Sequence, residues 1–285
     1  MGKLLIFKIM NAYLLSHNGI GDNLYMIGAV RYLLQYYEKM YFICKDIHYD
    51  NVKLFYKDDN NVIIVPMDSK NEFESCKKII NQSIYNKNDV FISGCHKQYL
   101  NSKISNLKLF QRLPEKKKYT IEYDTLTSSS YSFIENFYRD ITLDLNIFFE
   151  YFKLPLTIES ENYYNSLSNY NEIIFVHSKA SNKKLCFDNL YNKNVMKINT
   201  IIICADHNVY TLTREVNKKQ EEKYNICNNL VNIPLIYYLD IIKKCNEIYI
   251  IDSCFTGIVL PLLKTHKLNA KIIRIIYREL ESIIL

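Results

Sequence analysis

Short apolar runs alternate with helix-period stretches along most of this chain. Ala12 to Leu15 has the character of a buried strand, and after it Leu24, Ile27, Val30, Leu33 and Leu34 recur at helical spacing. Further strands are expected at Met40 to Cys44, at Asn61 to Val65 (ended by Pro66) and at Val90 to Ser93. Helices are expected between them at Asn51 to Tyr56 and at Glu72 to Ile84, where Phe73, Cys76, Ile79 and Ile80 share one face. Phe133 to Phe152 is a long helical pattern stopping at Leu154-Pro155, and the polar run Glu159 to Asn171 follows as the natural domain boundary.

The alternation then starts afresh. Strands are expected at Glu172 to Ser178, Asn199 to Asp206, Glu247 to Asp252 and Lys271 to Ile276, with helices at Pro234 to Cys245 and Thr256 to Lys264. Arg278 to Leu285 suggests a short closing helix. Short apolar strands between amphipathic helices indicate parallel sheets covered on both faces. The expected fold class is α/β with two Rossmann-like domains, residues 1–157 and 158–285.

Composition narrows the function classes. With 48% hydrophobic and 23% charged residues, the 285-residue chain reads as an ordinary globular protein, neither disordered nor fibrous. A formal charge of +6 is spread along the chain, densest at Glu115 to Lys118, and lacks a basic stripe with interleaved aromatics. That pattern favours a small anionic ligand over nucleic acid. The eight cysteines (44, 76, 95, 186, 204, 227, 245 and 254) show no C-x-x-C and no paired zinc spacing. Several sit inside apolar runs, as reduced core residues of a cytoplasmic protein do. No run reaches the roughly 18 apolar residues of a membrane span, so stable membrane insertion is not expected.

Candidate chemistry lies at strand ends. The first candidate is the turn His17-Asn18-Gly19-Ile20-Gly21-Asp22. Its glycines permit a tight turn and close approach of a ligand, and Asp22 is either a cap at the helix start or a carboxylate at the mouth of a parallel sheet. The second is His177 to Lys184, where Ser178, Ser181 and Lys184 offer hydroxyls and positive charge to a diphosphate, or form a polar loop with a helix cap. The third is Asp252-Ser253-Cys254-Phe255-Thr256-Gly257. There a helix start offers N–H groups to phosphate and Asp252 can hold a sugar hydroxyl; alternatively Asp or Ser simply caps the helix. Cys95 beside His96 is a weak nucleophile–base candidate, since sequence neighbours rarely have the geometry.

In this order, the pieces resemble the GT-B glycosyltransferases, most closely the heptosyltransferase-like glycosyltransferase family 9. The resemblance rests on Gly19-Ile20-Gly21-Asp22-Asn23-Leu24, on His177-Ser178 with Lys184, and on Asp252-Ser253 after the helix Pro234 to Cys245. Cys254 replaces the family's usual Gly, and Thr256 stands where its His would be. The resemblance implies two Rossmann-like domains facing across a cleft, the first on the acceptor side and the second binding a nucleotide sugar. It implies inverting transfer to a glycan or other hydroxyl acceptor, with Asp22 as general base. Lys184, Ser178, Ser181 and the Thr256-Gly257 helix start would hold the leaving diphosphate, Asp252 and Ser253 the donor sugar, and Gly19 and Gly21 the close approach. No metal and no cofactor beyond the donor is implied, and the sequence has no Asp-x-Asp. Glu215 is a weaker candidate for a ribose contact. Three rival readings are a nucleotide-sugar epimerase of the same fold, a degenerate nucleotide-sugar-binding protein, and a dinucleotide oxidoreductase. The last lacks the third glycine of its fingerprint.

Overall fold

A computed structural model of the protein describes residues 11–15, 19–83, 90–93, 134–135, 137–139, 141–181, 183–211 and 218–276. His17, Asn18, Cys95, His96, the lysine run 116–118, Glu215 and the tail from Arg278 lie outside the described residues. The chain divides into two compact units, Met1–Pro155 and Leu156–Leu285.

In the first unit, strands β1 (Ala12–Leu15), β2 (Met40–Lys45), β3 (Val62–Met67) and β4 (Val90–Ser93) form one sheet, ordered β3-β2-β1-β4. Every pairing is parallel. The apolar runs fit this, because a parallel sheet under crossover helices is buried on both faces. Pro66, expected to end the third strand, instead stays within it opposite Cys44. It is tolerated because β3 is at the edge of the described sheet, where a missing N–H costs no ladder bond.

The helix after β1 is broken into α1 (Ile20–Tyr25) and α2 (Ile27–Leu33). The cause is a distant side chain. The hydroxyl of the fully buried Tyr138 donates to the Tyr25 carbonyl at 2.8 Å and accepts from the Ala29 N–H at 3.1 Å. An uninterrupted helix would bond those two backbone groups directly, so the phenol has inserted into the i to i−4 ladder. Helix α3 spans Tyr49–Phe55 and α4 Glu72–Ser83. The long helix expected at 133–152 is interrupted: Thr142 has a positive φ of 59°, and a separate α5 spans Asn146–Tyr151. Gly28 on α2 lets α5 pack closely, since a Cβ there would lie 2.6 Å from the Ile147 carbonyl oxygen and 2.7 Å from the Phe148 Cα.

The second unit repeats the plan. Strands β5 (Glu172–His177), β6 (Thr200–Cys204), β7 (Glu247–Ile251) and β8 (Ile272–Ile276) are ordered β6-β5-β7-β8, again all parallel. Its helices are α6 (Ile158–Asn165), α7 (Asp188–Asn194), α8 (Lys218–Asn228), α9 (Leu239–Lys244, entered through a 3-10 turn at Leu235–Tyr238) and α10 (Thr256–Lys264). The polar run expected as the domain boundary, Glu159 to Asn171, is thus partly helical. Thr157 caps α6 by accepting from the Ser160 N–H at 2.9 Å, and the buried Ser160 hydroxyl accepts the Asp240 N–H at 2.8 Å, tying α6 to the start of α9. These are short-range polar bonds that hydrophobic periodicity does not register.

No helix among the described residues is long and apolar enough to cross a membrane.

Candidate functional site

In an open parallel sheet the ligand crevice opens at the carboxyl ends of the two strands where the order reverses. In the second unit these are β5 and β7, with β6 beside β5. All three of their following loops carry polar side chains.

The loop after β5 is a small hairpin. Leu185 N–H donates to the Ser178 carbonyl at 2.8 Å, Ala180 N–H to the Lys183 carbonyl at 2.7 Å, and Lys179 pairs with Lys184. Ser181 and Lys184 are exposed on it, while Ser178 is fully buried at its base. Ser178 donates its N–H to Asp206 at 2.8 Å and its hydroxyl to the same carboxylate at 2.6 Å. Burial opposes the charge on Asp206, but these two bonds, a third from His207 and the proximity of His177 outweigh it and bring the carboxyl down to about 2. Asp206 is therefore a fixed carboxylate directly after β6.

His177, the last residue of β5, is buried with its Nδ1 2.8 Å from the Ser253 hydroxyl and its ring 4.7 Å from that of Phe255. Burial pushes its pKa down to about 4, against an opposing pull from Asp206, so the ring is neutral near pH 7. After β7, the Ser253 N–H donates to the Thr256 hydroxyl at 3.1 Å, Thr256 N–H to the Ser253 carbonyl at 3.0 Å, and Gly257 N–H to the Cys254 carbonyl at 3.1 Å. The Thr256 hydroxyl that accepts within this turn is fully buried, and the helix N-cap is Phe255. The N–H groups of Thr256 and Gly257, expected to face phosphate, are thereby engaged inside the turn. Asp252 is half-buried, its N–H donating to the Ile276 carbonyl at 2.9 Å.

In the first unit the reversal lies between β1 and β4, which puts the Gly19–Asp22 turn at the carboxyl end of β1. Gly19 is the N-cap of α1 and Asp22 is already in the helix, one turn along. The Asp22 carboxylate accepts the Gly19 N–H at 2.9 Å, closing the turn from inside rather than capping from the front. Gly19 has φ −86° and no described glycine has a positive φ. Its backbone is therefore open to other residues, and a Cβ on Gly19 would meet only the tip of the Asp22 side chain, at 2.8 Å from Oδ2. Gly21 lies within α1 and is half-buried. Asn23 is fully buried and donates to the Gly19 carbonyl at 2.7 Å.

The structure thus joins Ser178 to two residues given no role from the sequence, Asp206 and through it His207, and joins Ser253 to His177 and Thr256. The signal for Asp206 was present, a carboxylate directly after an apolar strand, but its partnership with Ser178 is a contact between two strand ends that linear spacing does not show.

No protein-family model matches the chain, and no curated protein matches it in sequence. Among solved structures it is similar to the glycosyl transferase family 9 structure from Veillonella parvula, with 10% identity and a TM-score of 0.54 over 99% of this chain and 90% of that one. It is also similar to the E. coli heptosyltransferase WaaC with ADP-2-deoxy-2-fluoro heptose, with 10% identity and a TM-score of 0.46 over 96% of this chain and 90% of that one. The fold class is α/β of the GT-B type, with one parallel sheet in each unit.

Proposed function

We propose that the protein is a glycosyltransferase that moves a sugar of the hexosyl or heptosyl class from a nucleotide-sugar donor to a hydroxyl acceptor, with inversion and with no divalent cation bridging the diphosphate. The observation that carries this reading is positional. Within a fold shared with a glycosyl transferase family 9 structure, each unit sets its polar candidate loop at the carboxyl end of a strand beside the reversal of its sheet.

In this scheme the second unit holds the donor. Lys184 and Ser181, exposed on the hairpin, meet the leaving diphosphate, and Asp252 meets sugar hydroxyls. Ser178, Ser253, Thr256 and Gly257 are the buried frame that fixes those groups in place. Asp22 of the first unit takes the acceptor's proton as its oxygen attacks the anomeric carbon, while Gly19 and Gly21 keep the turn beside it free of side chains. The acceptor is a glycan or another hydroxyl compound, and the reaction runs in the cytoplasm.

The test is a thermal-shift panel of nucleoside diphosphates and nucleotide sugars, followed by turnover of the stabilising donor. A ligand at 100 times its Kd adds about 2.7 kcal/mol to the folded state, enough to name the donor. Asp22→Asn keeps an oxygen for the Gly19 N–H while losing basicity. It should retain the donor shift and lose about 10²–10⁴-fold in kcat. Lys184→Ala should weaken the donor shift. A panel with no selective shift, or an Asp22→Asn enzyme of full activity, refutes the scheme.

A further inference from the structure

Cys204, Asp206 and His207, at and just beyond the end of β6, each offer a different kind of ligand atom, all within 4.8 Å of one another. The Cys204 Sγ lies 3.2 Å from the His207 Nδ1 and 3.4 Å from the Asp206 Oδ1, and the His207 Nδ1 lies 3.1 Å from the Asp206 Oδ2. A tetrahedral zinc ion with bond lengths of about 2.0 to 2.3 Å needs ligand–ligand edges of about 3.3 to 3.6 Å; each of these three separations is within a few tenths of an ångström of that, the sulfur facing one oxygen of the Asp206 carboxylate and the imidazole the other.

We infer that this triad is a three-ligand site for a borderline-soft divalent ion, zinc foremost. Thiolate, imidazole and carboxylate together suit that class and not magnesium or calcium, which take oxygen ligands. The surroundings are those of a supported site. Ser178 fixes the carboxylate by two hydrogen bonds, and the Tyr191 hydroxyl donates to the Cys204 sulfur at 3.8 Å. Such outer partners orient ligands and raise affinity. Cys204 is buried, whereas the His207 side chain is 34% exposed, so the triad is closed on the sheet side and open to solvent for a fourth ligand. Binding proceeds by loss of one proton from the Cys204 thiol and a shift of the imidazole proton from Nδ1, where it bonds Asp206, to Nε2, which frees the Nδ1 lone pair for the ion; Asp206 enters as a carboxylate. The net charge of the filled site is zero. The inference does not depend on glycosyl transfer.

The experiment is titration of the full-length, chelator-stripped protein with Co²⁺ and then with Zn²⁺ in competition with a chromogenic chelator. One cobalt per chain is expected, binding with release of about one proton per ion and giving a thiolate-to-cobalt charge-transfer band and tetrahedral visible bands; zinc should displace both bands with no further proton release. Cys204→Ser should abolish the charge-transfer band and Cys186→Ser should leave it intact. Ser178→Ala should weaken zinc binding about 10–100-fold. His207→Ala, at an exposed position, gives the same loss of tight binding should the Cys204 variant fail to fold. Absence of a charge-transfer band, its survival in Cys204→Ser, or unchanged zinc affinity in His207→Ala overturns the proposal.

Discussion

The buried imidazole of His177 gives the second unit a dependence on acidity that can be worked out in advance. Its pKa falls from the ordinary 6.5 in the unfolded chain to about 4 in the folded one, with burial as the main cause. Between those two values the unfolded state binds the proton and the folded state does not, so stability falls as pH is lowered through this window. The full effect is the difference of about 2.5 units at 1.36 kcal/mol each, roughly 3 kcal/mol. That is a substantial share of the 5–15 kcal/mol typical of a domain. The assay is urea unfolding at pH 7, 6, 5 and 4 in the presence of a chelator, comparing the wild-type chain with His177→Gln. The variant keeps a polar partner for Ser253 but has nothing to titrate. Groups that do not sense His177 cancel between the two proteins, and Asp206, the one charge coupled to it, is held down mainly by its hydrogen bonds from Ser178 and His207, so the wild type should lose about 3 kcal/mol more than the variant over this range. Parallel pH profiles would show that the ring is not buried as described, and the argument would fail.

Three further outcomes follow from single contacts. Tyr138→Phe removes the hydroxyl that bridges Tyr25 and Ala29 and leaves two buried backbone groups to find new partners. A loss of about 1–3 kcal/mol in denaturant unfolding is expected, and no loss would mean the helix simply closes over the gap. Gly28→Ala gains up to about 1 kcal/mol of helix propensity but drives a methyl into the Ile147 and Phe148 backbone. Overpacking costs of about 1–3 kcal/mol should prevail, read as a lowered unfolding midpoint. Ser160→Ala should cost about 1–2 kcal/mol by freeing the buried Asp240 N–H, and an unchanged melting curve would remove the bond from the account of how α6 is anchored.

Much of this architecture was legible in the sequence because buried parallel strands are nearly continuous apolar runs. Ala12–Leu15, Val90–Ser93 and Thr256–Lys264 lie where the pattern puts them, and the remaining strands differ only at their ends. The failures share a physical character. Pro66 continues a strand because its place at the edge of the described sheet cancels its penalty, and the first long helix is split by a phenol more than a hundred residues away. In both cases the deciding information is tertiary. Helices α7 and α8 lack a strong apolar stripe and left no periodic signature, whereas α6 is carried by the Thr157 cap and the buried Ser160. At the candidate site, the loops were found from strand ends followed by polar residues. Which members are exposed and which are spent on one another was not, because Ser178 meets Asp206, and His177 meets Ser253, only once the strands pair.

The proline within β3 also bears on how the protein behaves among its own copies. The outer rim of that strand, which no described strand pairs with, would otherwise present a row of donors and acceptors on which another strand could extend the sheet. A ring nitrogen at Pro66 leaves one rung of any such ladder unformed. The same residue that was expected to close a strand thus makes that rim of the described sheet a poorer template for a further strand.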